Sequence, residues 1–248
     1  MAKEKLRLDV LTLFPNFFKD PLSTSLISRA IKSGILNVQT HNIRDFGVGK
    51  HKQVDDRPFG GGPGMVLKPD VLASSLKSVV DYSKEHSAKI KPYVVLLDPA
   101  GNLFSQKKAR NLAGEKWLVL ICGHYEGVDE RFKEEFVDEE ISIGDYILTG
   151  GEPAALVVID SVSRLLPGFL GKKESALLES FNKVKVKDKN LTLLDYPVYT
   201  RPETFENKRV PDTLLTGNHK KIEQWRLDKS LEKTKQKRPD LLKDSSNT

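Results

Sequence analysis

Leu118-Val-Leu-Ile-Cys122 is an apolar run that continues directly into the loop Gly123-His-Tyr-Glu-Gly-Val-Asp-Glu130. A second stretch follows the same pattern, and the two together indicate the fold of this chain. The second is Ile141-Ser-Ile143, followed by Gly144-Asp-Tyr-Ile-Leu-Thr-Gly-Gly-Glu-Pro153. Each is a short apolar strand that runs into a glycine-broken loop. In open α/β sheets, ligands bind beyond the carboxyl ends of the strands, and glycine lets the main chain approach a ligand closely. The two stretches therefore predict one pocket for a small molecule.

The apolar spacing on either side of these stretches predicts strands that alternate with helices. Strands are predicted over 6–14, 35–43, 93–97, 117–122 and 141–143, and helices over 22–31, 69–85, 105–112, 130–137 and 153–166. This alternation is typical of βαβ units, so we predict an α/β fold with a largely parallel sheet. Leu97-Asp-Pro-Ala-Gly101 predicts a turn that forms a third wall of the pocket.

The net charge of +6 on the 248 residues is unevenly distributed. Residues 1–170 contain 22 Lys/Arg and 22 Asp/Glu, whereas residues 171–248 contain 18 and 12, so the whole excess lies in the last third. A neutral body followed by a basic segment is typical of a protein that binds nucleic acid. A solvated, lysine-rich surface is the alternative. A helix is predicted over 219–235 within this basic segment.

Three further features narrow the class of protein. No apolar run reaches the roughly 18 residues that span a bilayer, so we expect no membrane partner. The single cysteine, Cys122, is interpreted as a buried strand residue and fits a cytoplasmic location. The glycine run Val54–Met65 lacks the Gly-Lys-Ser/Thr of a P-loop, which disfavours an ATPase. Within it, Asp55, Asp56 and Arg57 are suited to clamp a planar polar ligand such as a base; a surface loop is the alternative.

Six motifs, in this order, resemble the bacterial tRNA (guanine-N1)-methyltransferase family of the SPOUT superfamily. They are VDDRPFGGGPGM (54–65), ICGHYEGVDER (121–131), SIGDYILTGGEPA (142–154), IDSVSRLLPG (159–168), YTRPE (199–203) and LLTGNHKKIEQWR (214–226). The resemblance implies a SPOUT-type parallel sheet with a deep trefoil knot over 1–168. It further implies a flexible linker over 169–190 and a small, basic, mainly helical tRNA-binding domain over 191–248. The implied protein is a homodimer with its active site at the subunit interface.

The resemblance implies S-adenosylmethionine as the methyl donor, bound in the knot loops. The implied cofactor residues are Leu96, Leu97, Asp98, Pro99, Gly123, Tyr125, Glu126, Ser142, Ile143, Gly144, Asp145, Tyr146, Ile147, Leu148, Gly150 and Gly151. Backbone amides over 143–148 would read the edge of the adenine, and aliphatic side chains would cover its faces. Glu126 is assigned to the ammonium group of the cofactor or to a magnesium ion; a carboxylate that favours a helix start is the alternative.

The implied acceptor is N1 of the guanine at tRNA position 37, 3′ of the anticodon, where methylation supports reading-frame maintenance. This nitrogen carries a proton that a base must remove. Arg164 matches the family arginine that holds the guanine and stabilises charge at O6; a helix C-terminal cation is the alternative. The family base is an aspartate, and this chain has Glu179 at that position, in Ser175-Ala-Leu-Leu-Glu-Ser-Phe181. We predict that Glu179 is the base, with Asp55 or Asp56 as the next residues to test.

Two other functions stay open at this point. One is a SPOUT methyltransferase with another RNA acceptor, and the other is a non-catalytic RNA-binding relative that has lost its base. The pairing of Arg164 with a linker carboxylate favours a base nitrogen, and intact cofactor loops disfavour a pure binder. Phosphate contacts are predicted from the extra lysines over 183–190 and from Lys220, Lys221, Arg226 and Lys229. We expect no DNA partner.

Overall fold

The computed structural model describes residues 6–86, 90–170, 179–186 and 189–242. The chain divides into two compact units, Met1–Gly171 and Lys172–Thr248. The strands of the first unit are β1 (Leu6–Thr12), β2 (Leu36–Asn42), β3 (Asp55–Asp56), β4 (Val66–Leu67), β5 (Tyr93–Leu103), β6 (Trp117–Cys122) and β7 (Glu139–Ser142). Its α-helices are α1 (Lys19–Ser23), α2 (Ser25–Lys32), α3 (Pro69–His86), α4 (Gln106–Ala113), α5 (Glu130–Phe136) and α6 (Glu152–Ser163).

A five-stranded parallel sheet with the order β2-β1-β6-β5-β7 forms the centre of the first unit. The mixed α/β fold and the parallel sheet predicted from the sequence are thereby confirmed. All six residues of β6, the middle strand, are buried, as expected for a parallel strand covered on both faces. The parallel arrangement brings the carboxyl ends of β5, β6 and β7 to one edge, where the glycine-rich loops begin.

Alternating side chains along the strands build two hydrophobic cores, one on each face of the sheet. Leu8, Leu118 and Leu120 belong to the core that α2, α4 and α6 cover. Val119 and Ile121 belong to the opposite core, which α3 and α5 cover. The helices thus lie in two layers around the sheet, and the strand ends at its edge stay open for a ligand.

Strand β5 contains a bulge at the position where the sequence predicts a turn. Both Leu97 and Asn102 pair with Ile141 of β7, so the four residues between them bulge out of the sheet. Asp98 Oδ1 accepts a hydrogen bond of 2.9 Å from the backbone N–H of Ala100, which closes a local turn. The strand resumes after the bulge and continues to Leu103. The bulge places residues 98–101 at the rim of the sheet.

The second unit contains β8 (Asn182–Val186), β9 (Lys189–Leu193), β10 (Thr204–Phe205), β11 (Lys208–Arg209), α7 (Asp212–Leu215) and α8 (His219–Lys237). The family resemblance implies a flexible linker over 169–190. Residues 171–178 and 187–188 of that range lie outside the described residues, but β8 and β9 form an antiparallel hairpin. The alternation of valine and lysine is a strand pattern, because side chains of a strand point to opposite faces in turn.

The structure also describes the single cysteine and the apolar character of the helices. Cys122 is free and fully buried, as predicted, and burial raises the pKa of its thiol well above the ordinary value. Burial and the raised pKa both favour the protonated, unreactive form of this thiol. Among the described residues, none of the helices combines the length and the apolar character that a bilayer crossing requires.

Candidate active site

A cavity of about 400 Å³ lies where β5, β6 and β7 end. Its volume falls within the range of small-molecule sites, roughly 300–1,000 Å³. Three loops and the start of α6 form its walls. The lining residues are Leu97, Asp98, Pro99, Ala100, Gly123, His124, Tyr125, Glu126, Gly127, Ile141, Ser142, Ile143, Gly144, Tyr146, Ile147, Leu148, Thr149, Gly150, Gly151 and Ala154. The two glycine-broken loops thus meet around one cavity.

The lining contains fourteen of the sixteen residues assigned to the cofactor from the sequence, all except Leu96 and Asp145. Leu96 is fully buried in the core under α3 and α5, because successive residues of a strand point to opposite faces. Its neighbour Leu97 belongs to the other core and reaches the cavity. Asp145 belongs to the loop between β7 and α6 but is not part of the lining. The assignment of these residues to a cofactor stays a prediction.

Glycine is required where the second loop crosses the first. A Cβ on Gly151 would lie 2.7 Å from Cys122 Cα and 2.9 Å from the backbone nitrogen of Gly123, closer than real Cβ contacts. The backbone N–H of Gly151 donates a hydrogen bond of 2.9 Å to the carbonyl of Gly123. Gly144 has a φ of +152°, which L side chains rarely adopt. These glycines let two backbones touch and form the cavity wall.

The hairpin β3–β4 holds the motif that contains Asp55, Asp56 and Arg57 against the Gly123–Gly127 loop. Residue 55 pairs with Leu67, and the backbone N–H of Leu67 donates to the carbonyl of Gly127 at 3.0 Å. The backbone N–H of Glu126 likewise donates to the carbonyl of Met65 at 3.0 Å. Asp55 is half-buried, while residues 56 and 57 are exposed, and none of the three lines the cavity. They lie on a neighbouring surface.

Two aromatic rings and two aliphatic side chains of the lining remain open to solvent. Tyr125, Tyr146, Ile147 and Leu148 are all classed among the exposed large apolar residues, and Ile147 is 83% exposed. The Tyr146 hydroxyl donates a hydrogen bond of 3.2 Å to the carbonyl of Ile143. Exposed apolar groups around a cavity are typical of a binding site. They suit a flat, partly apolar ring system.

A buried carboxylate joins the two loops to the end of β1. Glu152 is 3% exposed, and its Oε1 accepts a hydrogen bond of 2.6 Å from the Thr12 hydroxyl. Its Oε2 lies 2.7 Å from Nε2 of His124, a lining residue. The His124 ring also packs against the Phe14 ring, with centroids 5.1 Å apart. Glu152 therefore fixes the position of the imidazole in the cavity wall.

A lysine on α5, Lys133, forms an ion pair with Asp98 of the cavity lining. Lys133 Nζ lies 3.5 Å from Asp98 Oδ2 and 3.1 Å from Glu140 Oε2. Burial lowers the pKa of Lys133, but its hydrogen bond to Glu140 and the charges of Asp98, Glu140 and Glu130 outweigh burial and raise this pKa. The ammonium group therefore stays charged and anchors the bulge at the end of β5 to α5.

The two residues assigned to catalysis lie outside the cavity lining. Arg164 directly follows α6, and the last residue of that helix in the cavity lining is Ala154, ten residues earlier. At 1.5 Å per residue, ten residues of helix correspond to about 15 Å. Glu179 belongs to the second unit, where its backbone carbonyl accepts a hydrogen bond of 3.1 Å from the Asn182 amide. Within the described ranges, no three His, Cys, Asp or Glu side chains form a metal-binding group.

Six of the lining residues are not among those predicted from the sequence: Ala100, His124, Gly127, Ile141, Thr149 and Ala154. All six lie inside, or within one residue of, the segments quoted from the sequence as pocket walls, so taking each loop as a whole would have included them. The pairing of His124 with Glu152 had no such signal, because 28 residues separate them and only tertiary packing makes them neighbours.

This geometry defines a class: an α/β protein with a small-molecule site at the carboxyl edge of a parallel sheet. The model of one family, described as tRNA (Guanine-1)-methyltransferase TrmD, matches residues 6–244. The chain belongs to this family, and the resemblance seen in its motifs is confirmed.

Curated relatives match along nearly the whole chain. The tRNA (guanine-N(1)-)-methyltransferase of Alkaliphilus oremlandii is 50% identical over 95% of this chain and 91% of its own length. The enzyme of the same name from Anoxybacillus flavithermus is 51% identical over 96% of this chain and 91% of its own length. That of Endomicrobium trichonymphae is 50% identical over 96% of this chain and all of its own length.

Proposed function

We propose that this protein transfers a methyl group from S-adenosylmethionine to N1 of the guanine at position 37 of tRNA. The observation that carries the proposal is the cavity at the ends of β5, β6 and β7, together with membership of the methyltransferase family. The relatives are named for the same transfer to guanine N1. The donor and the position in the tRNA follow from the family resemblance. We further propose that methylation there supports reading-frame maintenance, and that the enzyme works in the cytoplasm.

The backbone groups, apolar side chains and carboxylate that line the cavity fit S-adenosylmethionine. This cofactor supplies the methyl group as an electrophile when bound. Backbone groups over 143–148 would face the edge of its adenine, and the exposed Ile147 and Leu148 would cover the ring. The carboxylate of Glu126 suits the ammonium group, and its assignment to that group or to a magnesium ion stays a prediction. Gly151 keeps the wall thin enough for close backbone approach.

Two residues would act on the guanine. The Glu179 carboxylate accepts the proton from N1, so that the nitrogen lone pair becomes available for attack on the methyl group. The Arg164 guanidinium stabilises the negative charge that develops at O6. Glutamate and aspartate have similar reference pKa values, about 4.3 and 3.9, so the family chemistry is kept. The extra methylene of glutamate changes where the carboxylate sits.

The proposal also includes a knot, a dimer and a tRNA-binding domain. We infer the deep trefoil knot of the SPOUT superfamily in the first unit, supported by the close crossing of Gly151 over Cys122 and Gly123. We infer a homodimer whose active site lies at the subunit interface, because Arg164 lies a helix length from the cavity of its own chain. The second unit, with α8 as its long helix, is proposed as the tRNA-binding domain.

Substitution of Glu179 tests the chemistry. We expect Glu179→Gln to reduce the single-turnover rate of methyl transfer by about a hundredfold or more, since a positioned base contributes roughly 10²–10⁴. Glu179→Asp, which restores the family residue, is the matched control and retains activity. Binding of S-adenosylhomocysteine, measured by calorimetry, stays unchanged in both variants. A near-wild-type rate for Glu179→Gln would disprove the assignment and direct the test to Asp55 and Asp56.

A further inference from the structure

The hairpin β8–β9 carries a polar face with a distinct composition. In its antiparallel register, Lys183 pairs with Thr192 and Lys185 pairs with Asn190. Directly opposed residues of an antiparallel pair project from the same face, so these four side chains share one face. Both lysines are exposed, and so is Asn190. The face therefore presents two ammonium groups, an amide and a hydroxyl, and its four positions include no carboxylate.

The other face of the hairpin carries four apolar side chains, Val184, Val186, Leu191 and Leu193, with Asn182 and Lys189 at its two ends, and it anchors the hairpin within the second unit. Val184 pairs with Leu191 on that face, and Leu193 is only 3% exposed. Strand β9 contacts α8 and the short 3-10 helix Pro239–Leu242. A two-stranded hairpin alone is marginally stable, so this packing holds its polar face in a fixed orientation within the unit.

The hairpin follows Glu179 directly along the chain. The Asn182 side chain, at the start of β8, donates a hydrogen bond of 3.1 Å to the carbonyl of Glu179. Ser180 Oγ donates a hydrogen bond of 3.0 Å to Asp195 Oδ1, and Lys233 Nζ of α8 donates to the same oxygen at 2.7 Å. A ligand held on the hairpin is therefore coupled through a short, hydrogen-bonded segment to the residue assigned as the base.

We propose that the polar face of the β8–β9 hairpin binds the phosphate backbone of the tRNA substrate, with Lys183 and Lys185 as its main contacts. This inference rests on the proposed function. Alternate residues of a strand lie about 6.6 Å apart, so the two ammonium groups reach separate phosphates of one RNA strand. Amide and hydroxyl side chains also donate to phosphate oxygens, which gives Asn190 and Thr192 the same role. Binding there places the RNA next to the segment that carries Glu179.

The test measures binding and methyl transfer separately. The variant Lys183→Ala/Lys185→Ala is compared with Lys183→Arg/Lys185→Arg and with Lys77→Ala/Lys107→Ala, a control that removes two exposed lysines of the first unit. Affinity for a fluorescent anticodon stem-loop is measured by anisotropy across a range of salt concentrations. We expect the hairpin alanine variant to lose about tenfold in affinity and its salt dependence to fall by about 1.4–1.8 in log–log slope, as two lost phosphate contacts require.

The arginine variant and the first-unit control are expected to keep wild-type affinity and slope, and S-adenosylhomocysteine binding is expected to be equal in all proteins. An unchanged slope for the hairpin alanine variant would overturn the inference while wild-type methyl transfer to the guanine persists. Absence of that transfer in the wild-type protein would instead overturn the proposed function. If the wild type also fails to bind the stem-loop, both are overturned.

Discussion

The side chain of Glu152 has more structural consequences than its place at the start of α6 suggests. It is buried and accepts hydrogen bonds from Thr12 and His124, residues of β1 and of the first glycine loop. A Cβ on Gly150, two residues before Glu152, would overlap the His124 ring and approach Glu152 Oε2 to 2.6 Å. The cavity wall is therefore built around this carboxylate.

Replacing Glu152 with alanine is expected to damage both the fold and the cavity. The substitution leaves the Thr12 hydroxyl and the His124 imidazole without their acceptor, and an unsatisfied buried group costs about 1–3 kcal/mol. We expect a loss of that size in the free energy of unfolding in urea and weaker S-adenosylhomocysteine binding by calorimetry. The control is Glu135→Ala, an exposed position on α5. Equal affinity in both variants would show that Glu152 does not position the wall.

Asp9 provides a pH-dependent contribution to stability. Burial raises the pKa of this carboxyl, but hydrogen bonds from His41, Arg7 and Trp117 and the charge of Arg7 outweigh burial and hold the pKa below its ordinary value of 3.8. The stabilisation is therefore fully present above the unfolded-state pKa and is lost as pH falls through the folded-state pKa. We expect urea unfolding to show a decline in stability below about pH 4 that is smaller in Asp9→Asn. Parallel pH profiles for the two proteins would contradict this.

At the scale of elements, the segment after Glu179 is tied to α8 by one carboxylate. Asp195 accepts hydrogen bonds from Lys233 and Ser180, and these bonds, with the charge of Lys233, lower its pKa despite partial burial. Because both charged groups are partly exposed, the pair contributes little to global stability. The pair instead fixes the position of the segment that leads to Glu179, the residue proposed as the base.

The variant Asp195→Ala is expected to lower kcat for methyl transfer by about ten- to a hundredfold, since small displacements of reacting groups have effects of that size. KM for S-adenosylmethionine and the midpoint of thermal unfolding are expected to stay close to wild type. Glu232→Ala, which removes another exposed ion pair of α8, is the control. A kcat equal to that of the control would show that the tie to α8 does not place Glu179.

The periodicity of the sequence was sufficient for the five strands of the central sheet and for helices α2 to α6, most of which show an apolar run or one apolar face. It did not predict α1 or the two-residue strands β3 and β4. It was insufficient for the hairpin β8–β9. There, alternate lysines make the segment resemble a solvated linker, and only the valines between them, which face the apolar side, reveal a strand. The bulge after Leu97 was predicted as a turn, but its return to the sheet at Asn102 depends on pairing with β7.

At the scale of the whole molecule, strand ends and glycines predicted which loops form the cavity, because chain direction in a parallel sheet brings those ends together. The pairing of Glu152 with His124 and Thr12 was not predictable, since partners distant in the chain are chosen by tertiary packing. The distance of Arg164 from the cavity, set by the length of α6, likewise appears only in the folded chain.

The proposed shared site predicts that two inactive variants complement each other. Gly151→Ala disrupts the cavity wall, and Glu179→Gln removes the carboxylate proposed as the base. If the cavity of one subunit works with the base of its partner, random mixing in a two-fold dimer restores about a quarter of wild-type activity. The measurement is methyl transfer after the two variants are unfolded and refolded together. Activity that stays at the level of the separate variants would place cavity and base in the same subunit.

The most direct test of the central claim is transfer of labelled methyl from S-adenosylmethionine to an unmodified tRNA transcript with guanine at position 37. A second transcript with adenine at that position is the control. We predict label on the guanine transcript alone, recovered as 1-methylguanine. Equal labelling of both transcripts would move the acceptor elsewhere in the RNA and contradict the proposed reaction. No label on either transcript, with S-adenosylhomocysteine still bound, would contradict the assignment of Glu179 as a working base and leave the non-catalytic RNA-binding relative as the account of this chain.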